Sequence, residues 1–138
     1  MIHRTWREFT VNPEAITSAF SEVDPSLNDV RLISAELSED GPTLYLTLAL
    51  NDYPANPPGR WKRGTSNAVS IQLQCLGLIS LSLNRLSGDS TISCEIGKVA
   101  DDALQIQIAG CATNGLVHCS FIRINHITPY FRDDLAPA

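Results

Sequence analysis

The sequence predicts a mainly β fold of the α+β class: a curved antiparallel β-meander of about seven strands, with one N-terminal helix packed on it. Three observations carry this expectation. Apolar residues alternate with Ser, Thr, Gln and Asn over most of residues 29–125, the period-two signature of half-buried strands. The connections between these runs are too short for parallel crossovers. Helical spacing of apolar residues is strong in one stretch, near the N-terminus. A chain of 138 residues is one domain by default and long enough to bury a core. The expected layout is a helix at 13–23, a hairpin at 29–50, a Pro-rich loop at 53–67, a meander at 68–125 and a loose tail at 133–138.

Each element has a local reason. Trp6 and Phe9 stand three apart, as on a short helical turn. Asn12-Pro13-Glu14 then opens the main helix: Asn12 can cap, Pro13 suits the first position, and Glu14 complements the positive end of the dipole. Val11 and Ile16 are placed for a hydrophobic staple. Ile16, Ala19, Phe20 and Val23 form one apolar stripe, and Asp24-Pro25 ends the helix. The first strand places Ile33, Ala35 and Leu37 on one face. Glu39-Asp40-Gly41-Pro42 turns the chain into a strand with Leu44, Leu46, Leu48 and Leu50 in alternation.

After the Pro-rich loop come Val69, Ile71, Leu73 and Cys75, then a break at Gly77, then Ile79, Leu81 and Leu83. Ser87-Gly88-Asp89, Asp101-Asp102 and Asn114-Gly115 read as turns. Between them lie Ile92, Cys94 and Ile96, then Leu104, Ile106 and Ile108. Val117, Cys119 and Phe121 are followed by Ile122 and Ile124. That change of parity near 121 predicts a bulge or bend.

Composition limits the function. Residues 1–52 hold nine acidic and three basic side chains, and residues 53–138 hold six and seven, so the net charge of −5 belongs to the front of the chain. This argues against nucleic acid as the main partner and permits a basic protein partner. No apolar run approaches the ~20 residues that span a bilayer, and the N-terminus carries no apolar signal core, so a cytoplasmic protein is expected. Cys75, Cys94 and Cys119 occupy apolar strand positions and are expected as buried free thiols; Cys111, beside Gly110, is the reachable one. His118 and Cys119, as neighbours on a strand, face opposite ways and do not share a metal. No catalytic signature stands out, and neither an enzyme activity, a metal nor a cofactor is expected.

The conspicuous stretch is residues 53–67, Tyr-Pro-Ala-Asn-Pro-Pro-Gly-Arg-Trp-Lys-Arg-Gly-Thr-Ser-Asn. Three prolines within five residues exclude both a helix and a central strand anywhere in this stretch. Arg60-Trp61-Lys62-Arg63 reads either as an anion-binding surface or as a solvated turn whose tryptophan tucks into the core edge. The order of features from Leu46 to Leu83 resembles the Imm50 family of bacterial immunity proteins, which accompany polymorphic toxins. There a Pro-rich segment leads to an Arg-Trp or Glu-Trp pair, and an Asn opens an amphipathic strand. Here these are Pro54 to Pro58, Arg60-Trp61 and Asn67-Ala68-Val69, followed by Ile71 to Cys75 and Leu76-Gly-Leu-Ile-Ser-Leu.

The resemblance implies a small cytosolic protein that binds and neutralises a cognate toxin domain without catalysis. The alternative is a barrel-like module holding a small apolar ligand. The expected partner-binding residues are Glu36, Glu39 and Asp40 at the hairpin turn, and Asp52, Tyr53, Arg60 and Trp61 at the loop. The two groups lie at opposite ends of the hairpin. The loop end is favoured because Tyr, Arg and Trp supply binding hot spots.

Overall fold

The computed structural model describes residues 6–20, 24–62, 64, 66–85 and 90–133. A 3-10 helix, Trp6–Phe9, precedes helix α1, Glu14–Phe20. Strands β1, Val30–Ser38, and β2, Thr43–Ala49, form the predicted hairpin. Helix α2, Gly59–Lys62, is a single turn inside the Pro-rich loop. Strands β3, Ala68–Arg85; β4, Thr91–Ala100; β5, Ala103–Ala109; and β6, Thr113–Tyr130, complete the sheet. The six strands pair antiparallel throughout, and the order β1-β2-β3-β6-β5-β4 closes into a barrel.

The fold is mainly β with an N-terminal helix, as the alternation predicts. Two details differ. Six strands form where seven runs were expected, because Gly77 does not end its strand. It adopts φ 62° within β3, a conformation that costs glycine little. A β-carbon there would stand 2.9 Å from Ser120 Oγ on β6. The chain kinks at this crossing and continues. Nor is the sheet one meander: β1-β2-β3 and β4-β5-β6 are two, joined by the 18-residue strands β3 and β6 and closed at β1-β4. Asn114-Gly115 is likewise no turn but part of β6. A β-carbon on Gly115 would meet Ser82 O at 2.5 Å, so glycine permits the close β3-β6 approach. The turn falls at residues 110–112.

The kink also accounts for the parity change near 121. Val117, Cys119, Ile122 and Ile124 are buried, whereas Phe121 is 56% exposed. Inward positions thus shift phase opposite Gly77, and Phe121 is left outside. The barrel interior is filled by Leu44, Leu46, Leu48, Ile71, Leu73, Cys75, Ile92, Ile106 and Val117. A six-stranded barrel is narrow, and side chains alone occupy it.

The first strand carries another bulge. Ile33, Ala35 and Leu37 were expected on one buried face. Val30 and Leu32 are the buried pair, the register slips between Leu32 and Ser34, and Ile33 is 51% exposed. The extra residue turns Ile33 outward and returns Ala35 and Leu37 to the core-facing phase, opposite Leu46 and Leu44. Leu37 is nevertheless 63% exposed.

Helix α1 buries Ile16 and Ala19 against the barrel, with Phe20 partly buried. Val23 and the predicted helix end at 21–23 lie outside the described residues. So do the turn at 87–89, Arg63 and the tail from 134. Asn12 does not spend its side chain on capping. Its Oδ1 accepts from Ile124 N (2.8 Å), and its Nδ2 donates to Ile124 O (2.9 Å), so it pairs with β6 as a strand residue would. Val11, expected as a staple, donates its N–H to Ile122 O and leaves its side chain 52% exposed. The Arg7–Asp24 ion pair ties the 3-10 helix to the segment after α1, with both side chains largely buried.

Candidate protein-binding surfaces

The Pro-rich loop is built around Trp61. Pro57-Pro58 fixes the backbone into the start of a helical turn, a position that tolerates proline, and Trp61 N donates to Pro58 O (2.9 Å). The loop therefore contains one helical turn despite its prolines. Trp61 is 4% exposed and belongs to the core. Its ring tilts against Tyr53, with centroids 6.2 Å apart, and the Tyr53 hydroxyl pairs with Ser66 Oγ (2.7 Å). Trp61 Nε1 is buried with no hydrogen-bond partner. Tyr53 and Trp61 also line a shallow groove of about 340 Å³ with Pro54, Ala55, Pro57, Gly64 and Ser66.

The loop ends on a clamp. Asn67 is 6% exposed. Its Oδ1 accepts from Arg132 N (2.8 Å), and its Nδ2 donates to Arg132 O (2.9 Å). This fastens the end of β6 beside the start of β3. Asn12 and Asn67 thus do the same work at two places, each substituting an amide side chain for a neighbouring strand.

Of the loop-end residues expected to touch a partner, Trp61 offers almost no surface and Tyr53 is half-buried. Arg60 is exposed. Asp52 is exposed, with Oδ2 accepting from Ser26 N (2.7 Å). At the other end of the hairpin, Glu36, Glu39 and Asp40 are all exposed, and Leu37 stands among them. The structure keeps the two groups apart, as the hairpin geometry requires. Leu37 was missed as a surface residue because period two assigns it to the core face.

A second acidic surface was also missed. Glu8, Asp101 and Asp102 rim a groove of about 340 Å³, with Lys98 at its edge and Phe9 and Phe121 lining it. Asp101-Asp102 alone reads as a solvated turn. The parity change at Phe121 was the available signal.

Side-chain chemistry elsewhere is modest. Ser80 Oγ lies 3.0 Å from His118 Nδ1, and His118 Nε2 lies 2.9 Å from Gln105 Oε1, a ladder across β3, β6 and β5. These are directly paired positions, so the ladder is a cross-strand contact that fixes the imidazole. The end residue is a neutral amide, which cannot stabilise an imidazolium as a carboxylate does. Cys75, Cys94 and Cys119 are buried free thiols, and Cys111 is exposed. Burial pushes the Cys94 thiol up to about 12. Cys75 is raised by its hydrogen bond with Cys119 and by burial. For Cys75 and Cys94 these environments oppose thiolate formation, whereas the hydrogen bond with Cys75 lowers Cys119. Among the described residues no group of three His, Cys, Asp or Glu side chains is placed to hold a metal ion, and no helix is long and apolar enough to cross a membrane.

Neither the curated proteins nor the solved structures contain a match to this chain. The model of one protein family, Immunity protein 50, matches residues 12–130, from the Asn12 clamp to the end of β6. The chain belongs to the Imm50 family.

Proposed function

We propose that this chain is a cytoplasmic bacterial immunity protein that neutralises a cognate toxin domain of a polymorphic toxin system, by binding rather than by catalysis. The family match across residues 12–130 carries this reading. Inhibition by binding needs an accessible, chemically distinctive surface and no reacting groups. The exposed acidic side chains at the hairpin turn are such a surface, and acidic charge raises the association rate with a basic partner. The rival reading, a barrel holding a small apolar ligand, loses support from an interior filled by Leu, Ile, Val and Cys side chains.

The contact face belongs at the turn end, with Glu36, Glu39 and Asp40. The loop end was attractive for Trp61 and Tyr53, but the first is a core residue and the second is committed to Ser66 and Trp61. Arg60 and Asp52 remain there as a secondary contact. The reading is tested by co-expression. Cells producing the toxin domain from the adjacent reading frame should grow when this protein is present and arrest when it is not. Arrest in both cases, with the immunity candidate present at high level and folded, would overturn it.

A further inference from the structure

The barrel closes over only part of β1. Strand β4 pairs with Val30 and Arg31, whereas β2 pairs with β1 as far as Ser38. Among the described residues, Ser34 to Ser38 have a strand on the β2 side alone. Which backbone groups face the open side follows from the alternation of bonding along an antiparallel strand. Leu50 N donates to Val69 O, so the even residues of β2 bond toward β3 and the odd residues toward β1. Thr47, Tyr45 and Thr43 therefore bond Ser34, Glu36 and Ser38, their register partners. Ala35 and Leu37 must turn their amides and carbonyls outward. On the near side of the bulge, Leu32 N donates to Ser90 O in the same direction, which fixes the phase independently.

This edge explains the exposure of Leu37. Its side chain is in the core-facing phase, opposite the buried Leu44, yet it is 63% exposed, and among the described residues no strand pairs on its outer side. One more strand would cover it. The surroundings select that strand's chemistry. Glu36, Glu39 and Asp40 are exposed along and beyond this segment. A second copy of β1 would bring the same three carboxylates against themselves, and like charges directly opposite are destabilising. A cationic strand meets complementary charge.

We propose that an extended Lys- or Arg-bearing segment of the toxin adds as a strand to the open edge of β1 at Ser34–Ser38. Its main chain pairs with Ala35 and Leu37, an apolar side chain covers Leu37, and its cations face Glu36, Glu39 and Asp40. Main-chain pairing supplies affinity, and the flanking side chains supply specificity. The inference rests on the immunity reading and adds the mode of docking to it.

The test uses the full-length protein and a catalytically inactive form of the toxin domain encoded beside it. Ala35→Pro removes an outward amide without touching a β1-β2 bond, and proline is tolerated at such edge positions. The variant should keep the wild-type spectrum and melting profile and lose at least tenfold in affinity. Hydrogen exchange reads the same contact without a mutation: the amides of Ala35 and Leu37 should exchange readily in the free protein and gain protection in the complex. Two results overturn strand addition while leaving the immunity reading intact. One is wild-type affinity for Ala35→Pro, with protection arising instead at the Phe121 groove or the Pro-rich loop. The other is a free protein that sediments as a dimer with the Ala35 and Leu37 amides already protected. Absence of any complex with the wild-type protein overturns the immunity reading itself.

Discussion

Replacing Trp61 separates an anchored loop from a loop that waits for a partner. The indole is 4% exposed and packs on Tyr53. Truncating a large buried aromatic to alanine costs ~3–5 kcal/mol. Part of that is offset, because Nε1 is buried without a partner and such an unmet donor costs about 1–3 kcal/mol. Trp61→Ala should therefore destabilise the fold by about 2–3 kcal/mol, a loss of roughly 10 °C in Tm for a domain of this size. Trp61→Phe removes the unmet donor and keeps most of the ring packing, so it should stay within about 1 kcal/mol of wild type. Urea unfolding followed by far-ultraviolet circular dichroism measures both, with the slope checked for constancy. A wild-type midpoint for Trp61→Ala would refute the anchoring argument. So would a Trp61→Phe variant as unstable as the alanine variant, which would mean that Nε1 makes a bond absent from this account.

Three further outcomes follow from the packing. Gly77→Ala should cost on the order of 1–3 kcal/mol in chemical denaturation, since it combines a left-handed backbone with a β-carbon near Ser120; an unchanged midpoint would deny that the β3 kink needs glycine. Thiol labelling of the native protein should modify Cys111 within minutes and Cys75, Cys94 and Cys119 only under denaturant; rapid labelling of any two buried thiols would contradict the strand registers. The Cys94 thiol titrates higher in the folded state than its ordinary 9.0, so the folded state holds that proton more tightly. Its contribution to stability is complete below about pH 9 and is lost as the pH rises toward about 12. The difference in unfolding free energy between wild type and Cys94→Ala should narrow across that window, and a difference that widens would reverse the assignment.

Much of the fold was legible in the sequence because alternation reports which face is buried. Leu44, Leu46 and Leu48, or Ile106 and Ile108, could hardly be read otherwise. Alternation fails where a residue is inserted. The bulge at Ile33 and the kink at Gly77 each shift the phase, and a glycine reads as a break whether or not the strand continues. The pairing of β3 with β6 links residues 45 or more positions apart in its upper half and up to 62 at its start, and no local pattern encodes it. The roles of Asn12 and Asn67 were invisible for the same reason, since each amide meets a strand far along the chain.

The proposed binding surface was less legible than the fold. The acidic residues Glu36, Glu39 and Asp40 could be named from composition and turn chemistry. Trp61 stands at the centre of its loop, as the sequence suggests, but the sequence left open whether it faced a partner or the core, and its burial places it in the core. The open edge of β1 depends on where β4 stops pairing, which is a property of the closed sheet. Leu37 becomes surface only through that closure.

The central claim is that neutralisation is stoichiometric binding. The most direct measurement titrates this protein into a fixed amount of the active toxin domain and follows residual toxin activity alongside light scattering of the mixture. The account predicts that activity falls linearly to zero at one equivalent and that the mixture elutes as a single one-to-one complex. Full loss of activity at a small fraction of an equivalent, or undiminished activity with no complex at several equivalents, would contradict it.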